Sequence, residues 1–221
     1  MDTMVCPELV IFDCDGVLVD SELLASRAMC AVLQQRGIAA TPEMVAECIG
    51  MKRDDILARI ALKTGTSISP DTAEDIWPAT RDLFYEELDA TPGIAPFLDS
   101  LPYRRCVASS SDKVRIRLSL EVTGLLRFFG NDLFSSHEVP RGKPAPDLFE
   151  HAARHMGVDP KHCVVVEDSP FGIQGARAAG MTAIGYIGGS HVRDAHAEVL
   201  LQAGAHYVEA DWNAIGRHIG L

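Results

Sequence analysis

The sequence predicts an α/β protein in which a doubly wound, Rossmann-like parallel sheet carries an inserted all-α helical cap domain. Three short apolar runs, at residues 9–12, 106–108 and 163–166, have the pattern of strands that are buried on both faces of a parallel sheet. Helical and strand patterns alternate from about residue 104 onward, whereas residues 21–90 carry helical patterns only. The alternation indicates βαβ units, and the helical block indicates an insertion after the first strand.

The helical block is punctuated by residues that favour the starts of helices. Asp20 or Ser21 can cap the first helix, and Thr41 opens the second. A helical insertion of this length is expected to form a domain of its own. The predicted helices run over residues 21–36, 42–50, 54–63 and 70–88. The predicted cap is residues 21–90, and the predicted catalytic core is residues 1–20 and 91–221.

The second half of the chain predicts the remaining strands and helices of the core. Each predicted helix ends before a glycine, the residue that most often terminates a helix. The helices are expected at residues 113–122, 144–156 and 170–179, and weaker strand patterns lie at 133–134, 181–187 and 207–208.

Composition and charge exclude several classes of function. Apolar residues make up 47% and charged residues 23% of the 221 residues, as in an average globular protein. The net charge of −11 would repel a phosphate backbone, so no nucleic-acid partner is expected. The amino terminus has no basic segment, and Asp13 interrupts the first apolar run after four residues, so we expect no signal peptide and no membrane span. Six cysteines without Cys-x-x-Cys spacing indicate reduced thiols and a cytoplasmic location.

Polar side chains follow the predicted strands at the edge where open α/β sheets bind ligands. They are Asp13 and Asp15 after the first strand, Ser109, Ser110 and Ser111 after the second, Lys143 after the loop near residue 140, and Glu167 and Asp168 after the fourth. Four carboxylates, three hydroxyls and one ammonium are therefore expected to converge on one edge of the sheet.

This set of groups fits phosphoryl transfer through an aspartyl phosphate. A carboxylate such as Asp13 can attack phosphorus and divide one displacement into two easier steps, provided that a cation offsets the repulsion between the anions. Residues i and i+2 of a strand point to the same side, so Asp15 is the candidate general acid and base. Mg²⁺ is the expected cofactor because it binds carboxylates and phosphate oxygens. Its candidate ligands are Asp13, Asp15, Glu167 and Asp168.

The phosphoryl oxygens require donors of their own. Ser109 and Lys143 are the candidates for this role, since a hydroxyl and an ammonium can both donate to a phosphate group. Ser110 and Ser111 could share the contact, because all three serines follow the same strand.

The four segments, in this order and at these strand ends, resemble the four motifs of the haloacid dehalogenase superfamily. They most resemble its branch of β-phosphoglucomutase-like enzymes and small sugar phosphatases, and the similarity covers essentially the whole chain. The segments Gly142-Lys-Pro-Ala-Pro-Asp147 and Glu167-Asp-Ser-Pro-Phe-Gly172 are typical of that branch. The resemblance implies a Rossmann-like core, Mg²⁺, an aspartyl-phosphate intermediate and a helical cap that closes over a small phosphorylated metabolite.

Single residues separate the reactions known in this superfamily. Dehalogenases and phosphonoacetaldehyde hydrolases lack the second acid of the first motif, so Asp15 excludes both. Mutases of the β-phosphoglucomutase type carry a histidine where this chain has Ala25, which favours hydrolysis of a sugar phosphate or sugar-acid phosphate. A phosphomutase, a phosphoglycolate phosphatase and a non-catalytic binding protein of the same fold remain alternatives.

Several other charged residues have two possible roles. By the same resemblance, Lys52, Arg53 and Arg81 of the cap could contact substrate, but such residues are also typical of solvated helix faces. His151 and His155 share a helical face that could bind a metal, although the charged residues around them favour a solvated face. We expect a monomer or a weak homodimer.

Overall fold

The computed structural model describes residues 6–48, 51 and 53–221, and its core is one parallel sheet. The strand order is β3-β2-β1-β4-β5-β6, which is the doubly wound order. The predicted fold class is therefore confirmed. The strands are β1 (Leu9–Phe12), β2 (Arg104–Ser109), β3 (Leu133–Ser135), β4 (Cys163–Glu167), β5 (Thr182–Tyr186) and β6 (Tyr207–Glu209).

The two central strands are apolar because helices cover both faces of the sheet. All four residues of β1 and all five of β4 are buried. Val10 and Phe12 belong to the apolar core on one face, whereas Leu9 and Ile11 belong to the core on the other. This alternation follows from the two-residue repeat of a strand. Because both faces are buried, every position is apolar, and the sequence of such a strand shows no alternation of apolar and polar residues.

The described residues form ten α-helices, and the first five lie between β1 and β2. The seven-residue helices were not predicted, because two turns are too short to show a helical period. The helices are α1 (Glu22–Gln35), α2 (Pro42–Ala46), α3 (Arg53–Thr64), α4 (Pro70–Glu87), α5 (Ile94–Ser100), α6 (Lys113–Val122), α7 (Asp147–Met156), α8 (Pro170–Ala178), α9 (His196–Gln202) and α10 (Trp212–His218).

Two predicted helices extend more than one residue beyond an end of the observed ones. Helix α2 ends at Ala46 instead of near Gly50, which lies outside the described residues. Helix α7 begins at Asp147 instead of residue 144, because the N–H of Ala145 donates to the carbonyl of Gly142 and closes a turn before the helix. That turn carries Lys143 toward the sheet edge.

The inserted helices have an apolar core of their own. Leu33, Ile60 and Ile76 are among its buried residues, and this cluster is separate from the two clusters that cover the faces of the sheet. Within it, α1 packs along α4. The sequence-predicted domain boundaries, 21–90 for the cap, stay a prediction.

Two chain segments connect the cap to the sheet, and they run side by side. The N–H of Asp20 donates to the carbonyl of Asp89 at 2.9 Å, and the N–H of Thr91 donates to the carbonyl of Leu18 at 3.0 Å. The Thr91 hydroxyl also donates to the carbonyl of Val17 at 2.7 Å. These bonds place both ends of the cap directly beside the first motif.

Two general features bear on the sequence predictions. The six cysteines are unpaired, and all except Cys6 are buried. Among the described residues, no helix combines the length and the apolar character that a bilayer crossing requires.

Candidate active site

The carboxyl edge of the sheet brings the motif residues together between β1 and β4, where the strand order changes direction. Asp13 follows β1, and its backbone N–H donates to the carbonyl of Val166 at 3.0 Å. Glu167 is the last residue of β4, and Asp168 comes next. Because the two strands are parallel and in register, these carboxylates emerge at the same level. Such a switch point is where open α/β sheets bind ligands.

Lys143 supplies a buried positive charge to this edge. Its side chain is 1% exposed, and its Nζ lies 3.0 Å from Oδ1 of Asp13. The same nitrogen donates to Oε1 of Glu167 at 2.5 Å. Burial alone would lower the pKa of Lys143, but the Asp13 and Glu167 carboxylates outweigh it and raise the pKa above its ordinary value. The ammonium therefore stays charged and offsets part of the buried negative charge.

Three buried carboxylates form a group of the size that a cation requires. One oxygen from each of Asp13, Glu167 and Asp168 lies within 4.8 Å of the others. Burial raises the pKa of Asp13 and of Asp168 well above the ordinary value, and neighbouring carboxylates add to the effect. Oδ1 of Asp13 makes no well-aligned hydrogen bond among the described residues. Mg²⁺ prefers oxygen ligands of this kind, so the residues fit a Mg²⁺ site.

The three carboxylates are not equally free to bind an ion. Glu167 accepts the Lys143 ammonium through one oxygen and the backbone N–H of Ser169 through the other, at 2.7 Å. Asp13 and Asp168 carry fewer hydrogen bonds. Glu167 thus holds Lys143 in place, and its role as a metal ligand stays a prediction.

Asp15 lies apart from this group because three donors hold its carboxylate. Oδ1 accepts from the Ser21 hydroxyl and from the Arg115 guanidinium, each at 2.6 Å. Oδ2 accepts from the Ser111 hydroxyl at 2.7 Å. Burial alone would raise the pKa of Asp15, but Arg115 and the two hydroxyls outweigh it and lower the pKa. The structure thus brings three of the four predicted metal ligands together and places Asp15 elsewhere.

The three predicted serines line the cavity in front of the carboxylates. Ser109 is 1% exposed, and its Oγ accepts the backbone N–H of Ser111 at 3.1 Å. The carbonyl of Ser110 accepts the Ser136 hydroxyl at 3.0 Å. The tight turn after β2 therefore keeps all three residues at the sheet edge.

The cavity extends from the sheet edge to the cap. Its cap side is formed largely by apolar side chains from four helices, among them Met29, Val45, Ile56, Ile76 and Trp77. The cap thus supplies a wall opposite Asp13 and the serines, and a ligand in the cavity would contact both parts of the chain.

The three predicted cap cations have different positions. Arg53 lines the cavity, next to Asp54. Arg81 is exposed, does not line the cavity, and pairs with Asp82 at 2.8 Å. Lys52 lies outside the described residues. Of the two cap cations that the structure describes, Arg53 is therefore the one that lines the cavity.

The site also contains residues that were not predicted from the sequence. Arg115 binds Asp15, and its guanidinium carbon lies 5.2 Å from the centre of the Phe84 ring in the cap. Glu22 lines the same cavity, and burial, with the charges of Asp15 and Asp168, raises its pKa to about 8. Nothing in the local sequence separates Arg115 from the exposed Arg117 two residues later. Glu22 directly follows Ser21, the predicted N-cap of the first helix, and this position near the first motif could have indicated that it belongs to the site.

His151 and His155 form a close pair with tilted rings away from this site. Their ring centres are 4.1 Å apart, and Nδ1 of His155 lies 2.9 Å from the carbonyl oxygen of His151. Among the described residues, the two imidazoles do not belong to a group of potential metal ligands. This arrangement agrees with the solvated face that the neighbouring charges favour.

A doubly wound parallel sheet with buried acids and a lysine at its switch point, under a helical cap, defines an α/β enzyme that acts on a small ligand. Comparison with known proteins makes the class narrower. The haloacid dehalogenase-like hydrolase family model matches residues 7–180. The chain therefore belongs to the haloacid dehalogenase-like hydrolase family.

Named relatives and solved structures agree with this assignment. The chain is 36% identical over 176 residues to a 6-phosphogluconate phosphatase of Escherichia coli, which covers 79% of this chain and 80% of that protein. It is 32% identical over 178 residues to a fructose-1-phosphate phosphatase of the same organism, with 79% of this chain and 94% of that protein covered. A haloacid dehalogenase-like protein from Agrobacterium tumefaciens superimposes with a TM-score of 0.81 at 35% identity, over 94% and 95% of the two chains. The predicted class, a phosphoric monoester hydrolase, is confirmed.

Proposed function

We propose that this protein is a Mg²⁺-dependent phosphatase that hydrolyses a small phosphorylated sugar or sugar acid through an aspartyl phosphate on Asp13. One observation carries the proposal. The Asp13 carboxylate is buried beside the Lys143 ammonium, at 3.0 Å, and faces the same site as Glu167 and Asp168. A carboxylate in such surroundings can approach a phosphate group without prohibitive repulsion.

The residues divide the work of two successive displacements. Asp13 attacks phosphorus while Lys143 and the Ser109 hydroxyl hold the phosphoryl oxygens. Asp15 protonates the departing oxygen, and it then takes a proton from the water that attacks the aspartyl phosphate. When bound, Mg²⁺ would be held by Asp13, Asp168 and Glu167 and would neutralise charge on the phosphoryl group.

The position of Asp15 fits this double role. Its carboxylate is separate from the group of three acids and is held by Ser21, Ser111 and Arg115. The Arg115 pair favours the ionised form, which the general-base step requires, so Asp15 must take up the proton that it gives to the leaving oxygen when the substrate binds. The Ser21 bond links the acid and base to the first residue of the cap, so that closure of the cap can change its position.

The substrate class is inferred from the cavity and the relatives. Arg53 gives the cap side of the cavity a cation that could receive a carboxylate or a hydroxyl-rich group. A 6-phosphogluconate phosphatase and a fructose-1-phosphate phosphatase are among the relatives. We therefore expect a sugar-acid phosphate or a sugar phosphate, and we place phosphoglycolate behind both because its two carbons would leave the apolar cap wall without a partner.

Ala25 favours water over a sugar hydroxyl as the final acceptor. It lines the cavity at the position where the mutases that this chain resembles carry a histidine. Its methyl group offers no donor or acceptor to a second hydroxyl group. The mutase alternative predicts conversion of glucose 1-phosphate to glucose 6-phosphate in the presence of a bisphosphate activator, and we expect free phosphate instead.

The test is phosphate release from a panel that contains 6-phosphogluconate, fructose 1-phosphate, glucose 1-phosphate and phosphoglycolate, with and without Mg²⁺. We expect turnover that requires Mg²⁺ and that is lost in Asp13→Asn. Asp99→Asn, at an exposed site, is the matched control and should keep full activity. A folded protein without activity on any member of the panel would contradict the proposal and would favour a binding protein of the same fold. A cytoplasmic location and a monomer or weak homodimer stay predictions.

A further inference from the structure

His191 lies in the loop between β5 and α9, outside the four motifs, yet its imidazole reaches the acidic site. Its Nε2 lies 2.9 Å from Oδ2 of Asp168, and both side chains are 2% exposed. In the described part of the chain, neither atom makes a well-aligned hydrogen bond, whether to the other or to a third group. Burying an imidazole without such a bond costs free energy, so its position beside Asp168 needs an explanation.

The surrounding backbone fixes the imidazole in this position. A Cβ atom on Gly16 would lie 2.9 Å from Cε1 of His191, and one on Gly189 would lie 2.7 Å from the same atom. The ring therefore lies between two glycine backbones that leave room for it. Ser190 donates to Oδ1 of Asp20 through its N–H at 3.1 Å and its hydroxyl at 2.9 Å, which anchors the loop beside His191.

A second histidine that follows the same loop holds the backbone of the same acid. Nε2 of His196, at the start of α9, lies 2.6 Å from the carbonyl oxygen of Asp168. His191 and His196 thus contact the side chain and the main chain of Asp168, respectively. Since β5 is adjacent to β4, the loop that leaves β5 is well placed to support the acid that follows β4.

We propose that His191 is a positioning residue of the metal site: it fixes the rotation of the Asp168 carboxylate, so that this acid faces Asp13 and Glu167. The imidazole does not belong to the group of ligand atoms within 4.8 Å of one another, which favours support of a ligand over direct coordination. Residues that orient metal ligands typically change metal affinity by about 10- to 100-fold. The inference rests on the Mg²⁺ site of the proposed function.

The test measures Mg²⁺ binding to the full chain without substrate, by isothermal titration calorimetry. His191→Phe keeps a flat ring but removes both nitrogens, and we expect it to weaken the Kd for Mg²⁺ by about 10- to 100-fold. His191→Gln restores a donor at a similar reach and should recover much of that loss. His155→Phe, on the exposed face of α7, is the matched control and should bind as the wild type does.

A thermal-unfolding series separates positioning from a merely structural role. We expect Mg²⁺ to raise the Tm of the wild type more than that of His191→Phe, while the two midpoints without Mg²⁺ stay close. If the wild type binds Mg²⁺ and His191→Phe binds it equally well, the inference is wrong and the proposed function stands. If the wild type itself binds no Mg²⁺, both fail. Should His191→Phe not fold, an unchanged Kd in His191→Asn, whose shorter amide cannot reach Asp168 in the same way, overturns the inference.

Discussion

The Lys143 ammonium lies 3.0 Å from the Asp13 carboxylate, and both side chains are almost fully buried. Glu167 holds the same ammonium from the other side, so one positive charge serves two acids. Removing one partner of a buried ion pair leaves the other uncompensated, which costs more than a surface pair ever contributes. We therefore expect Lys143 to contribute to stability as well as to the proposed reaction.

We expect Lys143→Met to lower the free energy of unfolding by about 3–5 kcal/mol and to abolish phosphate release. Urea denaturation measures the first effect. Lys161→Met, which removes an exposed pair with Asp159, is the control and should change stability by about 1 kcal/mol or less. Adding Glu167→Gln to Lys143→Met should recover part of the stability but none of the activity. If Lys143→Met alone were as stable as the wild type, the ion pair would not be a main stabilising contact.

The role of Asp15 predicts a dependence on the leaving group. We expect Asp15→Asn to lower kcat/KM for a sugar phosphate by about 10²- to 10⁴-fold, because the departing alkoxide needs a proton. For p-nitrophenyl phosphate the loss of kcat/KM should be much smaller, since this leaving group departs as an anion. Asp13→Asn is the comparison, and it should lose activity toward both substrates to the same extent. Equal losses in Asp15→Asn would argue against the acid role.

Gly16 is predicted to tolerate no side chain. Its φ is +77°, and a Cβ would lie 1.9 Å from Oδ2 of Asp168. Gly180 has a φ of +74° with nothing within 4 Å of a Cβ, so Gly180→Ala isolates the backbone cost, about 1–2 kcal/mol. Gly16→Ala should cost more stability than this control in chemical denaturation, and it should lose Mg²⁺ binding because Asp168 must move. Equal costs for the two variants would mean that the site can adapt.

The two cap arginines provide a matched pair for substrate binding. Arg53 lines the cavity, whereas Arg81 pairs with Asp82 outside it. We expect Arg53→Met to raise KM for the preferred substrate by about 10-fold, as the loss of one charged hydrogen bond predicts, and Arg81→Met to leave KM unchanged. The KM values of both variants can be measured by steady-state kinetics. A larger effect for Arg81→Met would reverse the assignment.

Glu22 predicts a dependence of stability on pH. Burial and the charges of Asp15 and Asp168 raise its pKa from 4.5 to about 8. Between these values the folded chain holds a proton that the unfolded chain has released, so the free energy of unfolding falls as the pH rises through this window. Glu22→Gln should make this free energy less dependent on pH between about pH 5 and pH 8. The exposed Glu86→Gln is the control, and it should keep the slope of the wild type.

The strands and the motif residues could be predicted because their signals are local. Asp13 directly follows the apolar run at residues 9–12, and Glu167 directly follows the run at 163–166. The start of α7 at Asp147 could not be predicted, since it depends on a turn closed by the carbonyl of Gly142. Arg53 and Arg81 looked alike in sequence, and only the position of each helix relative to the cavity separates them.

The class of the fold and the acids at the sheet edge could be predicted from the amino-acid sequence, because strand formation and burial follow from patterns within a few residues. The tertiary structure decided which of these groups share a site. Arg115 reaches Asp15 across 100 residues of chain, and His191 reaches Asp168 from the loop after the neighbouring strand. Such contacts depend on strand order, register and the packing of distant elements, none of which a local pattern encodes.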